Sequence, residues 1–175
     1  MIDVEIKAKY DNQDFIRKFL QGKGAYFKGI DYQIDVYFQT NSGRLKLRKG
    51  ELEGALVFYK RENIKGIKPS NFTLYKSQKP DELESILRES LGVLVEVVKQ
   101  REMYYIDNVK FNIDKVEGLG KFIEIEAMTE DPNEIENLTQ VVRDYLRELK
   151  INEEAIQSHS YSDLLLDKKK RDISK

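Results

Sequence analysis

The 175-residue sequence has no cysteine, no tryptophan and a single histidine, His159. Without cysteine there can be no disulfide, no thiolate nucleophile and no sulfur-bound metal. One histidine cannot by itself build a histidine-rich zinc site. His159 lies between Ser158 and Ser160 and reads as a surface or capping residue. No long apolar run is present, so no transmembrane helix is expected. The first residues alternate like a strand and do not resemble a basic, apolar leader. Together these features point to a cytoplasmic protein. Neither sign of charge dominates, with 30 Lys and Arg against 31 Asp and Glu. Any basic site must therefore be local. No basic stripe with aromatic platforms is evident, which argues against nucleic acid as a partner. Abundant Lys, Glu, Ile and Tyr lean towards a thermophilic source.

What is present fits one domain, residues 1–167, followed by a charged tail, residues 168–175. The length is enough to bury a core without staples. Residues 2–10 alternate, with Ile2, Val4, Ile6 and Ala8 opposite Asp3, Glu5, Lys7 and Lys9, which is a strand with one polar face. Phe15, Ile16, Phe19 and Leu20 fall at helical spacing within 12–21. Ala25 to Thr40 reads as a long or broken strand. Further strands are expected at 44–49, 57–59, 72–77, 93–106, 109–116 and 122–128, with a loop over Asn63 to Asn71. Pro80 followed by Asp81 and Glu82 opens a second helix. Asp131-Pro132-Asn133-Glu134 opens a third, with Glu134 placed to close a capping box. Shorter helical pieces are expected at 153–158 and 162–166. About eight strands are enough to close a sheet on itself. The expected fold is α+β: a closed antiparallel barrel with helices packed outside.

The polar faces carry charges of one sign. Arg44, Lys46 and Arg48 share a face, as do Lys99 and Arg101, Glu124 and Glu126, and Asp3 and Glu5. Like charges two residues apart repel, so each set asks for a counter-charge or a ligand. An inward polar lumen and an ordinary solvated face both fit this pattern, because periodicity does not tell inside from outside.

Asp3-Val4-Glu5-Ile6-Lys7 resembles the Glu-x-Glu-x-Lys signature of the CYTH family, the triphosphate tunnel metalloenzymes, with aspartate in the first position. The similarity continues in order through Gln33-Ile34-Asp35-Val36-Tyr37-Phe38, Arg44-Leu45-Lys46-Leu47-Arg48 and Lys99-Gln100-Arg101. It extends through Asn112 to Gly120, Phe122-Ile123-Glu124-Ile125-Glu126, and Ser160-Tyr161 ahead of an apolar helix. The branch it most resembles is the class IV adenylyl cyclase-like proteins, including archaeal members.

The resemblance implies a charged tunnel that binds inorganic triphosphate, ATP or a related small molecule, with Mg²⁺ or Mn²⁺ as cofactor. It implies Asp3, Glu5, Glu124 and Glu126 as metal carboxylates. Lys7, Arg44, Lys46, Arg48, Lys99 and Arg101 become candidate phosphate contacts, with Lys60 and Lys76 as further ones. Asp114 would hold a basic residue or a metal's water. Glu5, Lys7 and Glu126 stand nearest the chemistry. Tyr161 reads as a packing anchor. Triphosphate hydrolysis is the leading expectation, adenylyl cyclase activity the second, and a non-catalytic triphosphate or polyphosphate-binding module the third. No membrane is expected as a partner, and a homodimer is allowed.

Overall fold

Alternating polar and apolar residues build eight strands, and these close into one antiparallel barrel. A computed structural model describes residues 2–60 and 66–173. In chain order the elements are β1 (Ile2–Lys9), α1 (Gln13–Gly22), β2 (Tyr26–Phe38), β3 (Arg44–Lys49), β4 (Ala55–Lys60), β5 (Lys68–Tyr75), α2 (Pro80–Leu91), β6 (Val93–Ile106), β7 (Val109–Val116), β8 (Gly120–Thr129), α3 (Ile135–Glu148) and α4 (Tyr161–Ile173). Around the barrel the order is β1-β5-β4-β3-β2-β6-β7-β8, with β8 paired back to β1. Closure leaves no long unpaired edge of the kind that an open sheet must protect.

The apolar halves of the strands face outwards, and the helices cover them. Val4, Ile6, Phe111, Ile113, Ile123 and Ile125 form a buried cluster with Ile16 and Leu20 of α1 and Leu138, Val142 and Leu146 of α3. On another side, Leu83 and Leu87 of α2 pack against Val36, Phe38 and Leu47. The helices therefore take the hydrophobic driving force, roughly 25 cal/mol per Å² of apolar area buried, and leave the lumen free to be polar.

The fourth helix does something different. Tyr161 of α4, with Leu164, Leu165 and Leu166, joins Val95, Val97, Val116, Phe122, Tyr37 and Tyr59 in a cluster at one end of the barrel. That end is covered, and the opposite rim is the mouth.

Three details differ from the sequence reading. β5 begins at Lys68, inside the expected loop, because its first residues must reach β1: Asn71, Ser70, Pro69 and Lys68 lie opposite Ile2, Asp3, Val4 and Glu5. Residues 63–65 of that loop lie outside the described residues. Glu134 closes no capping box. It ends a short 3-10 turn, Pro132–Glu134, whose start is capped by Asp131 accepting from the Asn133 N–H at 2.9 Å. Residues 168–173, read as a tail, continue α4, where no proline or glycine interrupts the helix. No helix among the described residues is long and apolar enough to cross a membrane.

Candidate functional site

The inward halves of the strands enclose a cavity of about 540 Å³. Among the described residues, eight basic and seven acidic side chains line it. Its charge nearly cancels, and most of its cations, Lys7, Lys46, Arg48, Lys99, Arg101 and Lys110 among them, already pair with a carboxylate.

The register stacks these groups in layers. Next to the end covered by α4 lies an aromatic and aliphatic floor that includes Tyr37, Tyr59 and Tyr161. The layer above is cationic and centred on Asp35. This carboxylate is 1% exposed and accepts from Arg48 Nε at 2.8 Å, Lys46 Nζ at 3.0 Å and Lys99 Nζ at 2.9 Å. Burial opposes its ionisation, but Arg48, Lys46 and Lys99 outweigh that and hold Asp35 well below the usual carboxylate range. For Lys99 the balance goes the other way. Burial and the neighbouring Arg101, Arg48 and Lys46 overcome the attraction of Asp35 and bring the Lys99 ammonium down to about 7.

Beside Asp35 a second network spans β6, β7, β8 and β1. Arg101 lies opposite Asp114 in the register and grips it in a fork, Nε to Oδ1 at 2.7 Å and Nη2 to Oδ2 at 2.6 Å. Arg101 also donates to Glu124, whose other oxygen meets Lys7 Nζ at 2.7 Å. The Tyr161 hydroxyl donates to Asp114 at 2.8 Å, and the Lys7 ammonium lies 4.1 Å from the centre of the Tyr161 ring. Burial works against a charged Glu124, yet Lys7 and Arg101 keep it well below the ordinary range.

Towards the mouth the carboxylates gather. Glu5 and Glu126 are direct cross-strand partners, and both line the cavity. Asp3, two residues along β1, lines it as well. Glu126 accepts from Asn112 Nδ2 at 2.9 Å and lies 3.7 Å from Lys110 Nζ. Lys110 is tied in turn to Glu53 at 2.6 Å.

The structure thus brings Asp3, Glu5, Lys7, Lys46, Arg48, Lys76, Lys99, Arg101, Glu124 and Glu126 to one cavity. Three of the expected residues sit elsewhere. Lys60 is exposed and alternates with Tyr59, which faces the lumen, so Lys60 is on the outer side. Arg44 shares the inward face of β3 but lies at the covered end, 2.9 Å from Asp163 of α4. Asp114 is fully buried behind the lining, where it holds Arg101.

Five charged lining residues are not among those expected from the sequence: Lys28, Asp35, Glu51, Glu53 and Lys110. Asp35 and Lys110 carried a signal, since each shares strand parity with an assigned or motif residue. Glu53 sits in a turn and carried none.

Cross-strand like charges such as Glu5 and Glu126 repel. Their donor chemistry fits a hard divalent cation placed between them. No three acids converge into a ready-made cation cluster among the described residues. A metal here would complete its shell with water and ligand oxygens, which suits Mg²⁺ more than an all-protein cage does.

A family model for the CYTH domain matches residues 1–161. A Methanocaldococcus jannaschii protein provisionally named an adenylate cyclase is 29% identical over 183 residues, covering 94% of this chain and 98% of that protein. Among solved structures, a Pyrococcus horikoshii protein is 30% identical with a TM-score of 0.75, covering 93% of this chain and 98% of that one. The RNA triphosphatase of Schizosaccharomyces pombe shares the fold at 11% identity and a TM-score of 0.56, over 91% of this chain and 85% of that one.

Proposed function

The chain belongs to the CYTH domain family, and on that premise we propose that it is a metal-dependent cytoplasmic enzyme that binds a triphosphate end-on and cleaves it at the mouth of the barrel. One observation carries this reading: in a cavity covered at one end, the cationic layer lies deep and the acids Glu5 and Glu126 lie towards the rim. A triphosphate carries about four negative charges and needs dispersed cations with a metal. Its leading phosphate would lie among Lys46, Arg48, Lys99 and Arg101. Arginine suits paired phosphate oxygens, and lysine acts as a point charge.

The trailing phosphate would then lie beside Glu5 and Glu126, with Asp3 close by and Lys7 and Glu124 one layer deeper. These acids would hold Mg²⁺ or Mn²⁺, which supplies Lewis acidity and neutralises charge on the reacting phosphoryl group. Lys7 would steady a non-bridging oxygen, while Glu124 keeps Lys7 and Arg101 in place. For inorganic triphosphate the phosphorus at the mouth is terminal, so attack by water releases orthophosphate. Asp114 would orient Arg101 from behind the lining, and Tyr161, in the floor, would steady Asp114 through its hydroxyl.

A second reading has its own support. The rim carries Leu52, Leu74, Tyr105 and Met128 among its charges, which could seat a nucleoside. With ATP bound terminal phosphate first, the α-phosphorus would lie at the mouth, within reach of the ribose 3′-hydroxyl, giving cyclic AMP and pyrophosphate. The name of the M. jannaschii relative is in line with this.

The deciding experiment incubates purified protein with inorganic triphosphate or ATP and Mg²⁺ or Mn²⁺, and separates the products. Orthophosphate without cyclic AMP supports the hydrolase. Cyclic AMP with pyrophosphate supports the cyclase. Binding without turnover of either would reduce the protein to a polyphosphate-binding module.

Proton linkage gives a second expected result. With the Lys99 ammonium brought down to about 7 by burial and the neighbouring cations, a bound polyanion favours its charged form. Binding at pH 8 should therefore take up close to one proton, and binding at pH 6 much less. Calorimetry in two buffers of different ionisation enthalpy measures this directly. Equal uptake at both pH values would place Lys99 away from the phosphates.

A further inference from the structure

The turn between β3 and β4 carries a carboxylate that this mechanism leaves unused. Asp31 of β2 is buried and accepts backbone N–H groups from Glu51 at 2.8 Å, Leu52 at 3.3 Å and Glu53 at 3.0 Å. Gly50 belongs to the same anchor, since a Cβ there would lie 2.4 Å from Asp31 Oδ2. The turn is pinned at its root, and it delivers the Glu53 side chain into the cavity. Glu53 Oε1 accepts from Lys110 Nζ at 2.6 Å and Oε2 from Arg48 Nη1 at 3.2 Å, with Lys28 Nζ 4.0 Å away. It thus bridges the cationic layer and the acid-rich rim.

Glu53 differs from the other buried acids in how it is held. Asp35 is enclosed by three cations with a side chain 1% exposed, whereas the Glu53 side chain is 19% exposed. It can turn its carboxylate into water while its backbone stays fixed by Asp31. A phosphate oxygen and a carboxylate oxygen make the same kind of charge-assisted hydrogen bond to Arg48 and Lys110.

We propose that Glu53 is an internal stand-in anion, which occupies the position across Arg48 and Lys110 that a phosphate group takes in the filled cavity and, by returning there, helps to expel product. The inference rests on the triphosphate reading of the site. It sets the sign of a mutational effect against the usual one. Removing a ligand contact or a scaffold residue weakens binding or leaves it unchanged, but removing a competitor tightens it.

The test titrates inorganic pyrophosphate and inorganic triphosphate into wild-type protein and Glu53→Gln by calorimetry. Glu53→Gln is expected to bind both about tenfold more tightly, the scale of one hydrogen bond to a charged group. Inhibition of turnover by added pyrophosphate should strengthen by the same factor. Glu53→Asp keeps the charge and draws it back by one methylene. It is expected to tighten binding by a smaller factor, and it carries the test if the amide variant fails to fold. Unchanged or weaker affinity in these variants overturns the stand-in role and leaves the triphosphate reading intact. No binding of either polyphosphate by any of the proteins overturns the triphosphate reading itself.

Discussion

Arg101→Met is expected to lower the unfolding free energy by about 3–5 kcal/mol, the usual cost of breaking a buried ion pair from one side, and to abolish triphosphate binding. Arg101 is 1% exposed and holds two buried acids at once, Asp114 through a fork and Glu124 through Nη2. Methionine has the volume to fill much of the space but leaves both carboxylates short of a countercharge. Among the described residues, Asp114 keeps the Tyr161 hydroxyl as a side-chain donor, and Glu124 keeps Lys7. Arg101→Lys restores a charge without the planar fork, so it should recover part of the stability and little of the binding.

Acid sensitivity should change in step. Burial disfavours an ionised Glu124, but Lys7 and Arg101 prevail and depress it in the folded state. Its contribution is therefore present above the unfolded carboxylate pKa and is lost as the pH falls below it. Without Arg101 that depression is smaller, and acid unfolding should begin at a higher pH. Urea denaturation at pH 7 and a pH titration of ellipticity measure both effects. A stability loss below about 1 kcal/mol, the range of an exposed pair, would show that the network is not held by Arg101.

Much of this site was readable because the strands keep period two. Glu5 with Lys7, Lys46 with Arg48, Lys99 with Arg101 and Glu124 with Glu126 each fall on a single face, and the barrel turns all of those faces inward. What period two cannot give is depth along the strand. Arg44 shares the face of Lys46 and Arg48, yet it lies at the end that α4 covers and pairs with Asp163. Nor can it give the inner face where the charges are isolated. Lys60 follows Tyr59, and only closure of β4 between β3 and β5 shows that Tyr59 points inward. Lys110 shares parity with Asn112 and Asp114 and was within reach of the same reasoning. Glu53 was not, because its position depends on Asp31 capturing three backbone N–H groups from a turn about twenty residues away. The helical supports were legible for α1 to α3, whose apolar residues repeat at helical spacing. The length of α4 was not, since its last turns present charge to solvent and bury nothing that a pattern could register.

The second large effect is expected at the rim. Glu126→Gln and Glu5→Gln should each lower metal-dependent turnover by at least about a hundredfold, the scale seen when an electrostatic catalytic group is removed, with little change in stability. The two carboxylates are register partners facing one another. Lys110 Nζ lies 3.7 Å from Glu126 and Arg101 Nη1 3.9 Å from it, both longer than a close ion pair. Replacing either acid by its amide removes the repulsion between them, so the folded state should keep or gain stability while the preference for a divalent cation is lost. This separates the rim from the deep layer. At Arg101 binding and stability fall together, whereas at Glu5 and Glu126 catalysis falls while the fold holds. Triphosphate affinity measured in a chelator should be equal to or higher than wild type in both amide variants, because a negative charge near the trailing phosphate has gone. Affinity measured with Mg²⁺ should no longer exceed the chelator value. If both variants keep full turnover, Glu5 and Glu126 do not hold the catalytic metal. If both unfold, the two carboxylates are structural groups of the barrel, and the cation site must be sought elsewhere in the cavity.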